Sequence, residues 1–487
     1  MQNRSAASLQ SQIASGETSA EETTKETFAL IEKSNDEIQA FLRTFADRAL
    51  EKARSIDSKR KEGKPLGKLA GVPIALKDNI QLKGEITTCG SQFLSDYRSL
   101  YDATVVRLLE EEDAIIIGKT NLDEFAMGAS GTHSAFAPTK NPWDTTRSPG
   151  GSSSGSAAAV SASLCPLSLG SDTGGSIRQP AALTGVLGFK PTYGRVSRYG
   201  LVAFASSFDQ IGPFARTIED IALTMEVIGK HCERDATSLN APPTPFLDEL
   251  KQPLTHGRIG VPWHFLEELE GETRKNFEES IARFKEQGME IVDIDLSLLR
   301  TAVATYYILT SAEASTNLAR FDGIRYGHRS KKATTLDEIY DESRREGFGW
   351  EVKNRILLGT FTLSSGFQDA YYSKAQKVRT LIIRQMQEAF GKCDIIAMPT
   401  APTVAFPLDA MSDPLQEYLQ DLYTTGPSLA GLPAISVPSG QSKEGLPYGL
   451  QLIGPQTHDS TVLRYAKYFL DGMEHPVGHP PGFGGKQ

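Results

Sequence analysis

Two hydrophobic patterns alternate along this chain: helical spacing and short continuous apolar runs. Up to about Glu62 the spacing is helical. Phe28 and Ile31 share one face, and Ala49, Leu50, Ala53 and Ile56 share the next. Ser19-Ala20-Glu21-Glu22 has the form of a capping box, and Gly16 closes the segment before it. Lys64-Pro65-Leu66-Gly67 then breaks the pattern, and the run 72–77 predicts a buried strand ending in Lys77. A helix is predicted over 104–111 and a second buried strand over 114–118. Strand, helix, strand in that order predicts parallel pairing. Further helices are predicted over 216–229, 270–287, 306–320, 368–390 and 459–470. Further strands are predicted over 258–262, 289–294, 393–398 and 448–453. Residues 235–257, with Pro242, Pro243 and Pro245, have the pattern of a loop. The passage 258–294 is either a second domain or a continuation of one sheet. The expected class is α/β.

The stretch 148–180 fits neither period. Two Gly/Ser loops, Ser148-Pro149-Gly150-Gly151-Ser152-Ser153-Ser154-Gly155 and Gly170-Ser171-Asp172-Thr173-Gly174-Gly175-Ser176, flank one apolar segment. Small residues let backbone N–H groups approach a ligand, and successive N–H groups in a turn make an anion site. A serine there would bring a nucleophile and an oxyanion hole on one peptide. A flexible linker has similar composition, but the apolar segment and the specific residues Asp172, Arg178 and Pro180 argue for a core passage. A phosphate loop needs a Gly-Lys-Ser/Thr ending that neither loop has. Gly151-Ser152-Ser153-Ser154-Gly155 matches a nucleophile elbow in form, but the residues before it have the pattern of loop rather than strand. No histidine is near either loop, so a base must come from elsewhere. Lys77 closes an apolar run, and burial lowers a lysine pKa towards the working range of a base. Taken alone, Lys77 would be a surface residue at a strand end.

Composition narrows the class. At 487 residues the chain allows two domains or one large one. The formal net charge of −9 argues against an autonomous nucleic-acid binder. Cys89, Cys165, Cys232 and Cys393 have no metal-type spacing and suit reduced thiols of a cytoplasmic protein. No apolar run approaches the roughly 18 residues that span a bilayer, so no membrane partner is expected. The opening Met-Gln-Asn-Arg-Ser has no apolar signal core. His475 and His479 sit beside prolines in a tail expected to be flexible, so no metal is expected.

Gly71-Val72-Pro73-Ile74-Ala75-Leu76-Lys77-Asp78-Asn79, Gly150-Gly151-Ser152-Ser153 and Asp172-Thr173-Gly174-Gly175-Ser176-Ile177-Arg178 occur in the order and spacing of the amidase signature family, which the chain resembles. The resemblance implies a large mixed β-sheet covered by helices on both faces, in one domain over 1–487. Within it, 1–62 is a helical layer, 63–230 the signature core, 231–470 the rest of the sheet and 471–487 the tail. It implies Ser176 as the acylated nucleophile, Ser152 as the bridge to Lys77 with a cis peptide to Gly151, and an oxyanion hole from Thr173, Gly174, Gly175 and Ser176. Ser153 and Ser154 are expected to be loop hydrogen-bonders.

Other stretches extend the resemblance across nearly the whole chain to one branch of that family, the glutaminase components of tRNA-dependent amidotransferases. They include Asn121-Leu122-Asp123-Glu124-Phe125-Ala126-Met127-Gly128, Arg320-Phe321-Asp322-Gly323-Ile324-Arg325-Tyr326-Gly327 and Arg355-Ile356-Leu357-Leu358-Gly359. That branch hydrolyses glutamine and passes ammonia on to amidate Glu-tRNA(Gln) or Asp-tRNA(Asn). The resemblance implies Arg355 for the glutamine carboxylate, Asp421 for its ammonium and Tyr306 as a pocket wall. It implies no cofactor in this chain, ATP and Mg on a B subunit that binds the charged tRNA, and a small C subunit. The alternatives are a stand-alone amidase for small or aryl amides and a catalytically silent scaffold. One departure stands out: where the family has Ser-Ser-Thr-Glu-Asn-Ser after Met-Gly, this chain has Ala129-Ser130-Gly131-Thr132-His133-Ser134. That puts one pocket wall, and the ammonia exit, in question.

Overall fold

In the computed structural model, which describes residues 4–410 and 414–483, eleven strands pair into one mixed sheet. In chain order they are β1 (Phe41–Thr44), β2 (Pro73–Lys77), β3 (Ile115–Thr120), β4 (Leu167–Asp172), β5 (Leu187–Lys190), β6 (Gln210–Ala215), β7 (Arg258–Val261), β8 (Glu290–Asp293), β9 (Ile395–Pro399), β10 (Ala434–Gln441) and β11 (Pro447–Ile453). Across the sheet the order is β1-β3-β2-β4-β6-β5-β10-β11-β9-β7-β8. β2 runs parallel to β3 and β4, and β7 parallel to β8 and β9; the remaining neighbours are antiparallel. The parallel β2–β3 pair is the one predicted from strand, helix, strand. The passage 258–294 joins the same sheet through β7 and β9.

Successive strand residues point to opposite faces, so strands covered on both sides are apolar throughout. Ile74 and Leu76 of β2 and Ile116 of β3 belong to one buried cluster, and Ala75, Ile115 and Ile117 to the other. Helices Ala6–Ser15, Ala20–Ile38, Ala46–Lys61 and Ser154–Ser161 cover the second face through Leu9, Ile13, Ile31, Ala49 and Ala158. Helices Thr104–Glu111, Ile218–Ile228 and Ala302–Asn317 contribute Val105, Ile221 and Leu309 to the first. The result is the large mixed sheet with helices on both faces.

Some local expectations differ. The N-terminal stretch is not continuous helix. Gln39 turns the chain at a φ of 58°, and the four residues of β1 close one sheet edge against β3. Ser19 Oγ caps its helix by accepting the Glu22 N–H at 3.1 Å, but the Glu22 carboxylate takes the Thr18 hydroxyl. A reciprocal box forms at Thr335 and Glu338 instead. Strand β4 was hidden by its polar residues. Ser168, Ser171 and Asp172 are buried because each is hydrogen-bonded, as in the 2.8 Å bond from Ser168 Oγ to the Ser156 carbonyl. In the C-terminal segment Pro480 is buried and Phe483 packs on the N-terminal cluster. The last four tail residues, like Met1 to Asn3, lie outside the described residues. All four cysteines are free and buried. Among the described residues no helix is long and apolar enough to cross a membrane.

Candidate active site

Lys77 is the last residue of β2, between β3 and β4, and is fully buried. Its Nζ lies 2.7 Å from Ser152 Oγ, 2.9 Å from Ser153 Oγ, 3.0 Å from Ser171 Oγ and 3.3 Å from the Ser171 carbonyl. Among the described residues it makes no ion pair. Burial therefore dominates and lowers its pKa to about 7, against the pull of Asp123, Asp172 and Asp209. The neighbouring hydroxyls differ in their freedom. Ser171 Oγ already accepts from Asn79 Nδ2 at 2.9 Å, and Ser153 Oγ donates to the Ser171 carbonyl at 3.0 Å. Ser152 Oγ is the one free to turn its proton towards a neutral amine.

The two serine loops are stitched together. The Gly151–Ser152 peptide is cis. Gly151 N–H donates to Gln179 Oε1 at 3.0 Å, and Ser153 N–H donates to the Ser176 carbonyl at 3.1 Å. A Cβ at residue 151 would stand 2.0 Å from Asp123 Oδ2, so this approach requires glycine. Ser176 is 6% exposed, whereas Lys77 and Ser152 are 0% exposed. It is the member of the three that faces outward.

Asp172 and Arg178 shape the turn 173–177. Arg178 Nε and Nη2 each reach a different oxygen of Asp172 at 2.9 Å, and Ile177 N–H donates to Asp172 at 3.2 Å. Burial pushes the Asp172 carboxyl up, but Arg178 outweighs it and holds the group below the usual carboxylate range. Arg178 also reaches Gln451 Oε1 at 2.6 Å and Ser428 Oγ at 2.8 Å, which ties the turn to β11 and the segment before β10. Thr173 Oγ1 donates to Asp209 Oδ1 at 2.7 Å.

Three distant elements converge on this turn. A Cβ at Gly174 would lie 2.5 Å from Tyr306 Cζ, and one at Gly175 would lie 2.2 Å from Thr424 Oγ1 and 3.0 Å from Asp421 Oδ1. Gly175 also has a φ of 150°, so both backbone and space require glycine. Arg355 is not an exposed helix charge. It is 3% exposed, its Nε donates to Glu351 Oε1 at 2.6 Å, and its guanidinium lies 4.7 Å from the Tyr307 ring centre and 5.4 Å from that of Phe204. Asp421 is buried, and its Oδ1 has no hydrogen-bond partner among the described residues. Burial and the Asp172 charge raise its pKa well above the usual range, opposed by Arg355 and Arg178. A buried carboxyl oxygen without a partner is a place for a donor that the chain does not supply.

Several residues around this site were not singled out from the sequence: Ser171, Asn79, Asp123, Asp209 and Glu351. Ser171 had an available signal, because parallel pairing of β2 with β4 sets Leu76 beside Leu169 and so places the end of β2 against 170–171. Ser154 Oγ sits 3.0 Å from Thr139 Oγ1, away from Lys77. Among the described residues no group of three or more His, Cys, Asp or Glu could hold a metal ion. His475 is exposed, and His479 contacts Ser163 at 3.4 Å.

Residues 22–463 match the family described as Amidase. The chain is 58% identical over 474 residues to the glutaminase component, lettered A, of the glutamyl-tRNA(Gln) amidotransferase of Protochlamydia amoebophila, covering 97% of each. The crystal structure of the component of the same name from Thermotoga maritima is 40% identical and superposes with a TM-score of 0.79, covering 95% of each chain. A bacterial aryl acylamidase of the amidase signature family superposes with a TM-score of 0.85 at 25% identity, covering 98% of this chain and 99% of that one. Overall shape therefore does not separate these activities, whereas sequence identity does.

Proposed function

The chain belongs to the amidase family, and from that premise we propose that it is the glutamine-hydrolysing subunit of a tRNA-dependent amidotransferase, with its chemistry at Lys77, Ser152 and Ser176. One observation carries the pocket: a partnerless Asp421 oxygen and a buried Arg355 lie beside the glycine turn that precedes Ser176. An α-amino acid brings one carboxylate and one ammonium, and the two groups complement it. Simple and aryl amides bring neither. Tyr306 forms a wall of the same pocket.

The steps follow from the hydrogen bonds. Ser176 Oγ attacks the side-chain amide carbon of glutamine. Its proton passes through the Ser152 hydroxyl to the neutral Lys77 amine. The developing oxyanion is held by N–H groups of Thr173, Gly174, Gly175 and Ser176. The same relay protonates the amide nitrogen, the C–N bond breaks, and ammonia leaves a γ-glutamyl ester on Ser176. A water molecule loses its proton to the relay, attacks the ester and releases glutamate, and Ser176 regains its proton. No step draws on a metal or cofactor from this chain.

The relatives are named as part of an amidotransferase acting on glutamyl-tRNA(Gln). The ammonia is accordingly consumed on a partner. We assign charged-tRNA binding, ATP and Mg to the B subunit, place a small C subunit beside both, and locate the assembly in the cytoplasm. Glu-tRNA(Gln) is the acceptor, and Asp-tRNA(Asn) is the second candidate. The test uses amide-15N-labelled glutamine with the assembled complex, ATP and charged tRNA. Label is expected in the amide of the tRNA-bound amino acid, with one glutamate released per transfer. Turnover of simple amides by the chain alone, indifferent to partners, tRNA and ATP, would contradict the proposal and point to a stand-alone amidase.

A further inference from the structure

The loop at which this chain departs from its family is joined to the proposed ammonium subsite. Gly128 begins it: a Cβ there would lie 2.6 Å from Asp123 Cγ and 2.8 Å from His133 Cδ2, so glycine makes room for the histidine ring. Asp123 folds the loop by accepting Gly131 N–H and His133 N–H, each at 3.0 Å. His133 Nε2 then lies 2.8 and 3.1 Å from the two oxygens of Glu417, and Ala129 N–H donates to Glu417 at 2.7 Å. Glu417 is in helix Pro414–Leu419, and its side chain is 5% exposed.

The residues after Glu417 build the pocket. The Tyr418 hydroxyl lies 3.2 Å from the Glu351 carboxylate that holds Arg355, and its ring stacks 4.1 Å from that of Tyr307. Gln420 N–H returns to the Glu417 carbonyl at 3.0 Å, and Asp421 N–H to the Tyr418 carbonyl at 3.3 Å. Asp421 Oδ1 then faces Gly175. A displacement at Glu417 is thus carried through one turn of backbone to Asp421.

We propose that the His133–Glu417 pair is a clamp that fixes the 414–421 segment, so that both are positioning residues for the subsite at Asp421 that takes an amino acid's ammonium. The proposal rests on the glutaminase assignment above. The two side chains join elements that are distant in sequence, and the charged groups facing His133 are Glu417, Asp123, Glu351 and Glu124. Burial alone would lower the His133 pKa, but the Glu417 bond and charge, with Asp123 and Glu351, hold it at about 9. The pair is therefore ionic at neutral pH. This explains how the chain tolerates losing the family's usual loop residues: a different loop is anchored to the same wall.

The test is glutamine hydrolysis by the complete complex. His133→Ala is expected to raise KM for glutamine roughly tenfold while kcat stays within about threefold. Glu417→Gln should give the same split, and the double variant should be no worse than the worse single one. His133→Gln, which can still donate to Glu417, should recover most of the affinity. Calorimetric binding of glutamine to Ser176→Ala complexes, with and without His133→Ala, should show the same weakening without chemistry. If His133→Ala fails to fold, Glu417→Gln carries the test. An unchanged KM in the folded variants, or a kcat loss without a KM change, would overturn the clamp while leaving the glutaminase assignment standing. No glutamine hydrolysis by the unsubstituted complex would overturn both.

Discussion

Lys77 and Lys119 lie on adjacent parallel strands, with Leu76 set opposite Lys119 and Lys77 opposite Thr120, and both are fully buried. Their surroundings differ by one carboxylate. Lys119 Nζ is 2.6 Å from Asp78 Oδ1 and 3.0 Å from Thr87 Oγ1, and the other Asp78 oxygen holds Thr88. Lys77 meets three hydroxyls and a carbonyl. Burial of a paired lysine gives a structural ion pair, whereas burial of an unpaired one gives a base. Lys190 shows that a lowered pKa is still not enough. Burial brings it to about 7 as well, but its Nζ bonds to the carbonyls of Pro191 and Leu432, which have no proton to relay. What distinguishes Lys77 is the chain of hydroxyls leading to Ser176.

The largest expected effect removes the end of that chain. Ser176→Ala should cut glutamine-dependent transfer by about 10,000-fold while ammonia-dependent transfer by the complex persists. Loss of both would place the acceptor chemistry in this chain. Next, Lys77→Met should lower kcat/KM by about 100- to 10,000-fold with a native melting profile, and Lys77→Arg should fail too, because arginine keeps its proton. Lys119→Met should do the reverse. It leaves Asp78 buried and unpaired, at a cost of about 3–5 kcal/mol in denaturant unfolding, with residual activity following the folded fraction. If Lys119→Met stops the chemistry in folded protein, the contrast between the two lysines is wrong.

Asp421→Asn should raise KM for glutamine on the order of 100-fold, because the ammonium then meets an amide in place of a carboxylate. The smallest effect is read from pH. Protonated Lys77 has no lone pair to offer, so kcat/KM should rise with pH through about 7, falling roughly tenfold per unit below that point. Lys190→Met should leave this limb in place, which separates the two lysines of similar pKa.

The catalytic residues were legible because each sits in a compact stretch whose composition has few other uses: an apolar run ending in Lys77, and two loops too rich in small residues and too specific at Asp172 and Arg178 to be linkers. The parallel β2–β3 pair was legible for the same local reason. The pocket was not. Arg355 has the spacing of a solvent-facing helix charge, and its burial depends on rings from Tyr307, Phe204 and Tyr418 that arrive from three other segments. Asp421 follows a six-residue helix with no strong period. Strand β4 was obscured because its serines are buried by hydrogen bonds to neighbouring backbone, which hydrophobic patterning does not register. Only the family resemblance singled out Arg355, Asp421 and Tyr306, and it was silent on Ser171 and Asp209, whose roles appear once β4 and β6 lie side by side.

The most direct test of the account is mass spectrometry of the complex quenched in acid during glutamine turnover. The peptide containing Ser176 should gain the mass of one glutamyl group, and the adduct should be absent from Ser176→Ala and Lys77→Met. A glutamyl adduct on another residue, or undiminished glutamine turnover in Ser176→Ala, would contradict the assignment of Ser176 as the nucleophile served by Lys77.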